Sequence, residues 1–225
     1  MNKKEKNAGL VAGIFLIIMA IAAGFSYGYV HTSLVAETRL ETAQNFANNS
    51  ELFLAGIAGW IVIISTDLIV AFSLCTFFKS TNRKISMITA GIRLIYIAFL
   101  ILAVYQLVAI SFIERPTDFA NDIVELLRYF EQIWSFGLII FGLHLIGLGY
   151  LSIKSAYVPK VLGYLLYLGG TIYIIIHAVK KSSALDVQTV QSLENGLALP
   201  MALGEMLLAV WLIYIGLKRR ELAVN

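Results

Sequence analysis

Charge is what this sequence has least of. Only 14% of its 225 residues are Asp, Glu, Lys or Arg, against 59% hydrophobic, whereas soluble domains carry about 25% charge. With a mean hydropathy of +0.82, the chain holds more apolar surface than a soluble core could absorb, so the bilayer must be its main solvent. Cysteine is nearly absent: Cys75 stands alone, which rules out an intramolecular disulfide, and its place in an apolar run marks it as a small hydrophobe. The histidines, His31, His144 and His177, are scattered without an HExxH-type pairing, so a metal cluster has little to build on. Phosphate loops and dinucleotide fingerprints are missing. So are soluble domains, low-complexity tracts and nucleic-acid-binding basic patches. None of these features assigns a cofactor, and none states an oligomeric order.

What is present is a series of long apolar runs. Six are of membrane-spanning length, at about 9–30, 52–78, 87–113, 131–153, 159–179 and 198–217. They predict an all-α, polytopic membrane helix bundle, a single six-helix transmembrane domain over residues 1–225. Connections near 31–51, 114–130 and 180–197 are long, and those at 79–86 and 154–158 short. The opening MNKKEKNAGLVAGIFLIIMAIAAG also has the make-up of a cleaved signal peptide, but its apolar run continues to Val30, longer than a usual signal core. The expectation is therefore a retained first span.

Lys and Arg set the orientation. One side carries Lys3, Lys4, Lys6, Lys79, Arg83, Lys84, Lys154, Lys160, Lys218, Arg219 and Arg220; the other has only Arg39, Arg115, Arg128, Lys180 and Lys181. Both termini are thus expected in the cytoplasm. Glu37, Glu41, Glu51, Glu114, Asp118, Asp122, Glu125, Asp186 and Glu194 all fall outside.

Local chemistry marks several boundaries. Pro159 and Pro200 suit the first turns of spans five and six, where a missing N–H costs nothing. Thr117 and Asp118, after Pro116, can cap a helix running into span four. Phe119, Ile123, Leu127 and Phe130 recur along it at helical spacing, as an interfacial amphipathic segment or as span four extended. ETRLETAQNFANNSE is a second helix-prone outer connection. Trp60, Trp134 and Trp211 read as packing or interface anchors. The two three-span halves would be inverted relative to one another, although no residues match between them.

Six ionisable side chains remain inside the runs: Asp67, Arg93, Glu131, His144, His177 and Glu205. At a rise of about 1.5 Å per residue from the basic end, Asp67 lies ~18 Å deep, Arg93 ~14 Å, His144 ~15 Å and Glu205 ~20 Å. In a core of about 30 Å all four fall near the midplane, one from each of four helices. An unpaired charge there costs at least ~2.5–3.5 kcal/mol, which pairing of Arg93 with Asp67 or Glu205 relieves; an arginine fork can engage a carboxylate through two parallel bonds. Small residues share the faces of these groups, Ala198, Ala202 and Ala209 with Glu205, Gly137 and Gly147 with His144, so the groups should face protein rather than lipid. Two carboxylates against one guanidinium leave one surplus negative charge. A proton on one acid, a protonated His144 or a bound cation would neutralise it. Arg93 and Asp67 are the expected pairing core, Glu205 the titrating acid and His144 its hydrogen-bond or proton partner. Nearer the outer face, Glu131, His177 and Gln106 form a second candidate group.

The runs STDLIVAFSLCTFFK, GIRLIY, FGLHLIGLGYLSIKSAYVPKVLGYLLYLGGTIYIII and LPMALGEMLLAVWLIYIGLK follow in that order. From about residue 8 to 217 the chain resembles a bacterial multi-pass membrane family, domain of unknown function 4386. The most specific elements are Gly149, Ser155, Pro159 and Gly163, and the pair Gly204 and Glu205. The resemblance implies about six spans in a bacterial inner (cytoplasmic) membrane; it carries over no reaction and no catalytic residue.

The functional expectation is an integral membrane protein in contact with the lipid bilayer, with a buried midplane polar site at Asp67, Arg93, His144 and Glu205. Its partner would be a small ligand, a proton or a cation, in linked transport or in sensing. An intramembrane enzyme acting on a lipid or other apolar substrate, with an acid and a histidine as general acid and base, is one alternative; a scaffold or accessory subunit is another. The orientation has a direct check. In a Cys75→Ser background, Glu41→Cys should react with a membrane-impermeant maleimide in intact cells and Ser80→Cys should not; the reverse labelling would overturn the assignment.

Overall fold

The computed structural model describes residues 1–113, 119–182 and 186–218, and these contain helices and no strand. The expected cap at Thr117 and Asp118, the side chain of Phe119, and the sidedness of Glu114, Arg115, Arg219 and Arg220 lie outside the described residues. Seven helices are defined: α1 Lys3–Leu34, α2 Arg39–Asn48, α3 Ser50–Phe77, α4 Arg83–Ile110, α5 Phe119–Lys154, α6 Lys160–Ser182 and α7 Val187–Leu217. All but α2 are long and apolar enough to cross a membrane.

Side chains start most of them. Asn2 accepts from the Glu5 N–H at 2.8 Å while the Glu5 carboxylate accepts from the Asn2 N–H at 3.0 Å, a reciprocal box at the head of α1. Thr38 caps α2, Asn82 caps α4 and Asp186 caps α7. Asp186 also accepts from the Thr189 hydroxyl at 2.6 Å, which holds its carboxyl below the usual range.

Two boundaries differ from the sequence expectation. Pro200 lies inside α7, which begins thirteen residues earlier at Val187. The segment before it is too polar to read as a span, yet Asp186 caps it. The Gly196 carbonyl that Pro200 deprives of a partner belongs to an exposed residue, where water can serve it. The long connection expected over 180–197 is accordingly mostly helix, pinned by Lys180 to Glu194 at 3.2 Å between α6 and α7. Pro159 stands one residue before α6 rather than within its first turn. The amphipathic stretch after Phe119 is span four extended, a single 36-residue helix, and Arg39–Asn48 within ETRLETAQNFANNSE is helical as α2.

Each spanning helix packs against the next in sequence, and α7 closes back onto α1. The six therefore form a ring. The N-terminus hydrogen-bonds Tyr157, Lys6 donates to the Lys218 carbonyl and Trp211 donates to the Tyr157 carbonyl, so the basic segments share one end. At the other end α2 lies against α5, where Arg39 donates to Asn121. Toward the basic end the ring is plugged by Val70, Leu74, Leu148, Leu208 and Leu212, all essentially fully buried.

Close helix approach explains the glycines that carry the family resemblance. A Cβ on Gly149 would sit 2.8 Å from the Gly163 carbonyl oxygen, and a Cβ on Gly163 would sit 2.8 Å from that of Gly149. Backbone meets backbone there, and neither side can yield. Gly149→Val should lower stability by at least about 1–3 kcal/mol, read as thermal unfolding in detergent. Gly91→Ala, where nothing lies within 4 Å of the new methyl, should unfold no earlier than the natural chain.

Candidate functional site

Arg93 leaves α4 about three turns beyond the Asn82 cap and points into the ring. It is 0% exposed, the largest fully buried side chain among the described residues. Its Nε donates to Asp67 Oδ1 on α3 at 2.8 Å, and Nη2 lies 2.5 Å from the same oxygen. Nη1 donates to Glu205 Oε1 on α7 at 2.9 Å and meets His144 Nε2 on α5 at 3.1 Å. Nη2 also faces Met19 Sδ on α1 at 3.5 Å, and the Phe141 ring lies 5.4 Å from Cζ. Every guanidinium nitrogen is engaged, and four other helices supply the partners. The four midplane residues expected from depth alone are in direct contact, and Asp67 and His144 are each 1% exposed.

Two details depart from expectation. The guanidinium does not fork across both Asp67 oxygens. Nε and Nη2 converge on Oδ1, and Oδ2 is buried with no hydrogen-bond partner, because Nη1 is committed to Glu205 and His144. His144 is also neither a cation nor a proton partner of Glu205 here. Its Nδ1 lies 2.9 Å from the Thr89 carbonyl oxygen, which can only accept, and its Nε2 faces an arginine N–H, which can only donate. The ring is thereby held as the neutral Nδ1–H tautomer, with Arg93 Nη1 between it and Glu205. One guanidinium and two carboxylates remain, with the surplus negative charge unmatched by any side chain of the layer.

The outer group does not form one cluster. Glu131 pairs with His31 at 3.7 Å, and His177 meets Ser135 at 3.0 Å and stacks on Tyr173. Gln106 donates within its own helix, to the Leu102 carbonyl. Thirteen residues past Arg93 at ~100° per residue turn Gln106 well away from the Arg93 face.

A cavity of about 850 Å³, its open mouth included, rises from the layer. All six spanning helices line it: Asp67 and Glu205 at its floor, Met19 beside them, and Tyr27, Trp60, Tyr96, Trp134, Phe141 and Tyr173 around its walls. Following each helix by its direction, Tyr27, Trp60, Trp134 and Tyr173 lie on the acidic-end side of the layer, opposite the aliphatic plug. Trp60 and Trp134 pack edge to face at 5.3 Å, and Tyr27 meets Trp134 at 4.6 Å. These two tryptophans are cavity walls as well as packing residues; Trp211 lies at the basic end.

Tyr27 and Met19 carried no signal in the sequence beyond belonging to an apolar run. Tyr27 sits in a π-helical stretch of α1, Gly24–His31, whose wider turn is common at functional sites. The stretch nests against glycines of α3: a Cβ on Gly59 would fall 1.9 Å from Ser26 Oγ, and one on Gly56 would fall 2.8 Å from Val30.

A ring of six spanning helices around a buried charge layer defines a multi-pass integral membrane protein. The chain belongs to the family described as Domain of unknown function (DUF4386), which matches residues 11–216 and so includes the whole layer. An uncharacterized protein of Archaeoglobus fulgidus is 31% identical over 176 residues, 78% of this chain and 93% of its own length. No solved structure matches.

The layer's dependence on its cation is measurable. Arg93→Met would leave two buried carboxylates facing each other without a counter-charge and should destabilise the fold by roughly 3–5 kcal/mol. Adding Asp67→Asn and Glu205→Gln to that variant should restore part of the loss in detergent thermal melts, since the uncompensated charge then disappears.

Proposed function

We propose that this protein binds a small solute in the cavity of its helix ring, in exchange with a proton or cation on the Asp67–Glu205 pair, and that this binding serves transport or sensing across a cytoplasmic membrane. One observation carries the reading. Arg93 is shared by two carboxylates, both of which line the cavity, while the neutral His144 does not. The surplus charge therefore faces the space a solute would occupy, and Glu205, 12% exposed at its side chain, is the acid best placed to exchange with it.

The intramembrane-enzyme alternative needs an acid and a histidine within hydrogen-bond reach of each other and of a substrate; His144 instead meets Arg93 and the Thr89 carbonyl and does not line the cavity. The scaffold reading asked for a closed bundle with no space beside the polar layer, and the cavity reaches two of its four members.

The test is infrared titration of the full chain in nanodiscs. One protonated carboxyl should be present at mildly acid pH and should lose its C=O band as pH rises. Glu205→Gln or Asp67→Asn should remove that band. A natural chain without any such band, or a band that survives both substitutions, would refute the proton-exchanging site.

A further inference from the structure

The cavity above the charge layer has a composition that selects among solutes. Six aromatic side chains stand among the aliphatic ones of its walls, its floor holds two carboxylates, and the charge they leave over is a single negative one. The neighbouring guanidinium cannot recruit an anion, because its three nitrogens are already committed. An anion would also meet the surplus carboxylate charge. A hard metal ion requires about six oxygen ligands, and no group of three or more His, Cys, Asp or Glu among the described residues could hold one. Aromatic faces around a desolvated space attract a cation through their quadrupoles, and do so most strongly for alkylated ammonium groups that shed water easily. Glu205, whose side chain is 12% exposed, is the carboxylate that such a ligand would approach, and Asp67, which also lines the cavity, adds its charge to the floor.

Resting on the solute-binding reading above, we infer that the ligand class is a hydrophobic organic monocation, an alkyl- or arylammonium seated among Tyr27, Trp60, Trp134 and Tyr173 with its charge toward Asp67 and Glu205. One positive charge brings the layer to neutrality, as a proton on the pair would. Cation and proton are then alternative occupants. The charged and titratable groups facing the pair are Arg93 and Tyr96 from α4, His144 from α5 and Tyr173 from α6, with Tyr27 of α1 further along the wall. Arginine and the tyrosines keep their charge state between mildly acid and neutral pH, and His144 is held neutral by its two hydrogen bonds. Toward the mouth, His31 stacks on Tyr27 and pairs with Glu131, and His177 stacks on Tyr173. Exchange on the carboxylate pair should weaken cation binding on acidification by refilling the site with a proton. This pH dependence should be lost in Glu205→Gln, whereas one set by those histidines would persist.

Calorimetric titration of the full chain in nanodiscs tests this with three probes of similar shape: phenyltrimethylammonium, its neutral isostere tert-butylbenzene, and benzoate. The fixed charge of the first removes any titration of the ligand itself. The cation should bind about tenfold or more tighter than the neutral isostere, and benzoate should not bind. Cation affinity should fall on acidification and fall by a similar factor in Glu205→Gln. Tyr27→Leu, which leaves the charge layer intact, should weaken the cation several-fold while leaving tert-butylbenzene unchanged; it answers the question even if Glu205→Gln does not fold. Equal or tighter binding of tert-butylbenzene would make the cavity an apolar chain site and overturn the proposal, as would benzoate binding or cation affinity indifferent to both substitutions. A chain that shows the titrating carboxyl band but binds no phenyltrimethylammonium would refute the ligand class alone; loss of the band as well would refute the proton-exchanging site with it.

Discussion

A guanidinium that cannot shed its proton, placed in the middle of a hydrocarbon slab, is the constraint from which this structure follows. Burial at 0% exposure is tolerable only if every nitrogen of Arg93 finds an acceptor, and one neighbouring helix could not present them all. The acceptors come from α1, α3, α5 and α7, so the rotation of each about its own axis is set by the need to aim Met19, Asp67, His144 and Glu205 at one point. Close approach of α4 and α5 completes the arrangement. Gly147 leaves room for Thr89, where a Cβ would fall 2.5 Å from Oγ1, and that contact brings the Thr89 carbonyl to His144. In lipid, where apolar burial gives helices little reason to associate, polar contacts and small-residue packing of this kind define the interface.

The same layer divides the bundle into unlike halves. On the basic side the ring is filled by Val70, Leu74, Leu148, Leu208 and Leu212, with Phe77 and Phe78 packed edge to face nearer the end. On the acidic side the bulky residues are aromatic, pack on one another as Tyr27, Trp60 and Trp134, and leave space between themselves and the floor. The polarity of the layer follows this division: the carboxylates line the cavity, and His144, satisfied at both nitrogens, does not. Low dielectric strengthens the field of the surplus charge in that space, which gives the solute-binding reading its electrostatic content.

Depth was legible in the sequence throughout, and azimuth only where small residues marked a face. Counting residues from the flanking lysines placed Asp67, Arg93, His144 and Glu205 at one level because helix rise is constant, and hydropathy marked the spans because lipid selects for it. Which direction a residue faces is harder to read in a membrane. A lipid-facing and a protein-facing position can both be apolar, so Tyr27 and Met19 did not stand out from their runs. Gln106 shows the converse, a polar residue at a suitable height on the wrong face. The hydropathy signal also began span six too late, because the polar turns of α7 before Pro200 are held by the Asp186 cap and the Lys180–Glu194 pair rather than by lipid. The neutral tautomer of His144 needed both of its partners to be known at once, and neither is adjacent to it in sequence.

A layer built only to lock the helices would need fewer charges than this one has. Arg93 with Asp67 alone is neutral, and His144 Nε2 already offers Nη1 an acceptor, so the guanidinium could be satisfied without Glu205. Placing a second carboxylate beside the first adds repulsion and desolvation that packing does not require, and an apolar side chain of similar size on α7 would avoid both. Glu205 nevertheless stands against Gly204, where α7 approaches α6 so closely that a Cβ would fall 2.8 Å from the Leu166 backbone nitrogen. That approach fixes the register that carries the acid to Arg93. Asp67, which also lines the cavity, keeps one oxygen buried and without a partner. Both features are costs to a static lock, and both are what a site needs if something positively charged is to enter, bind and leave.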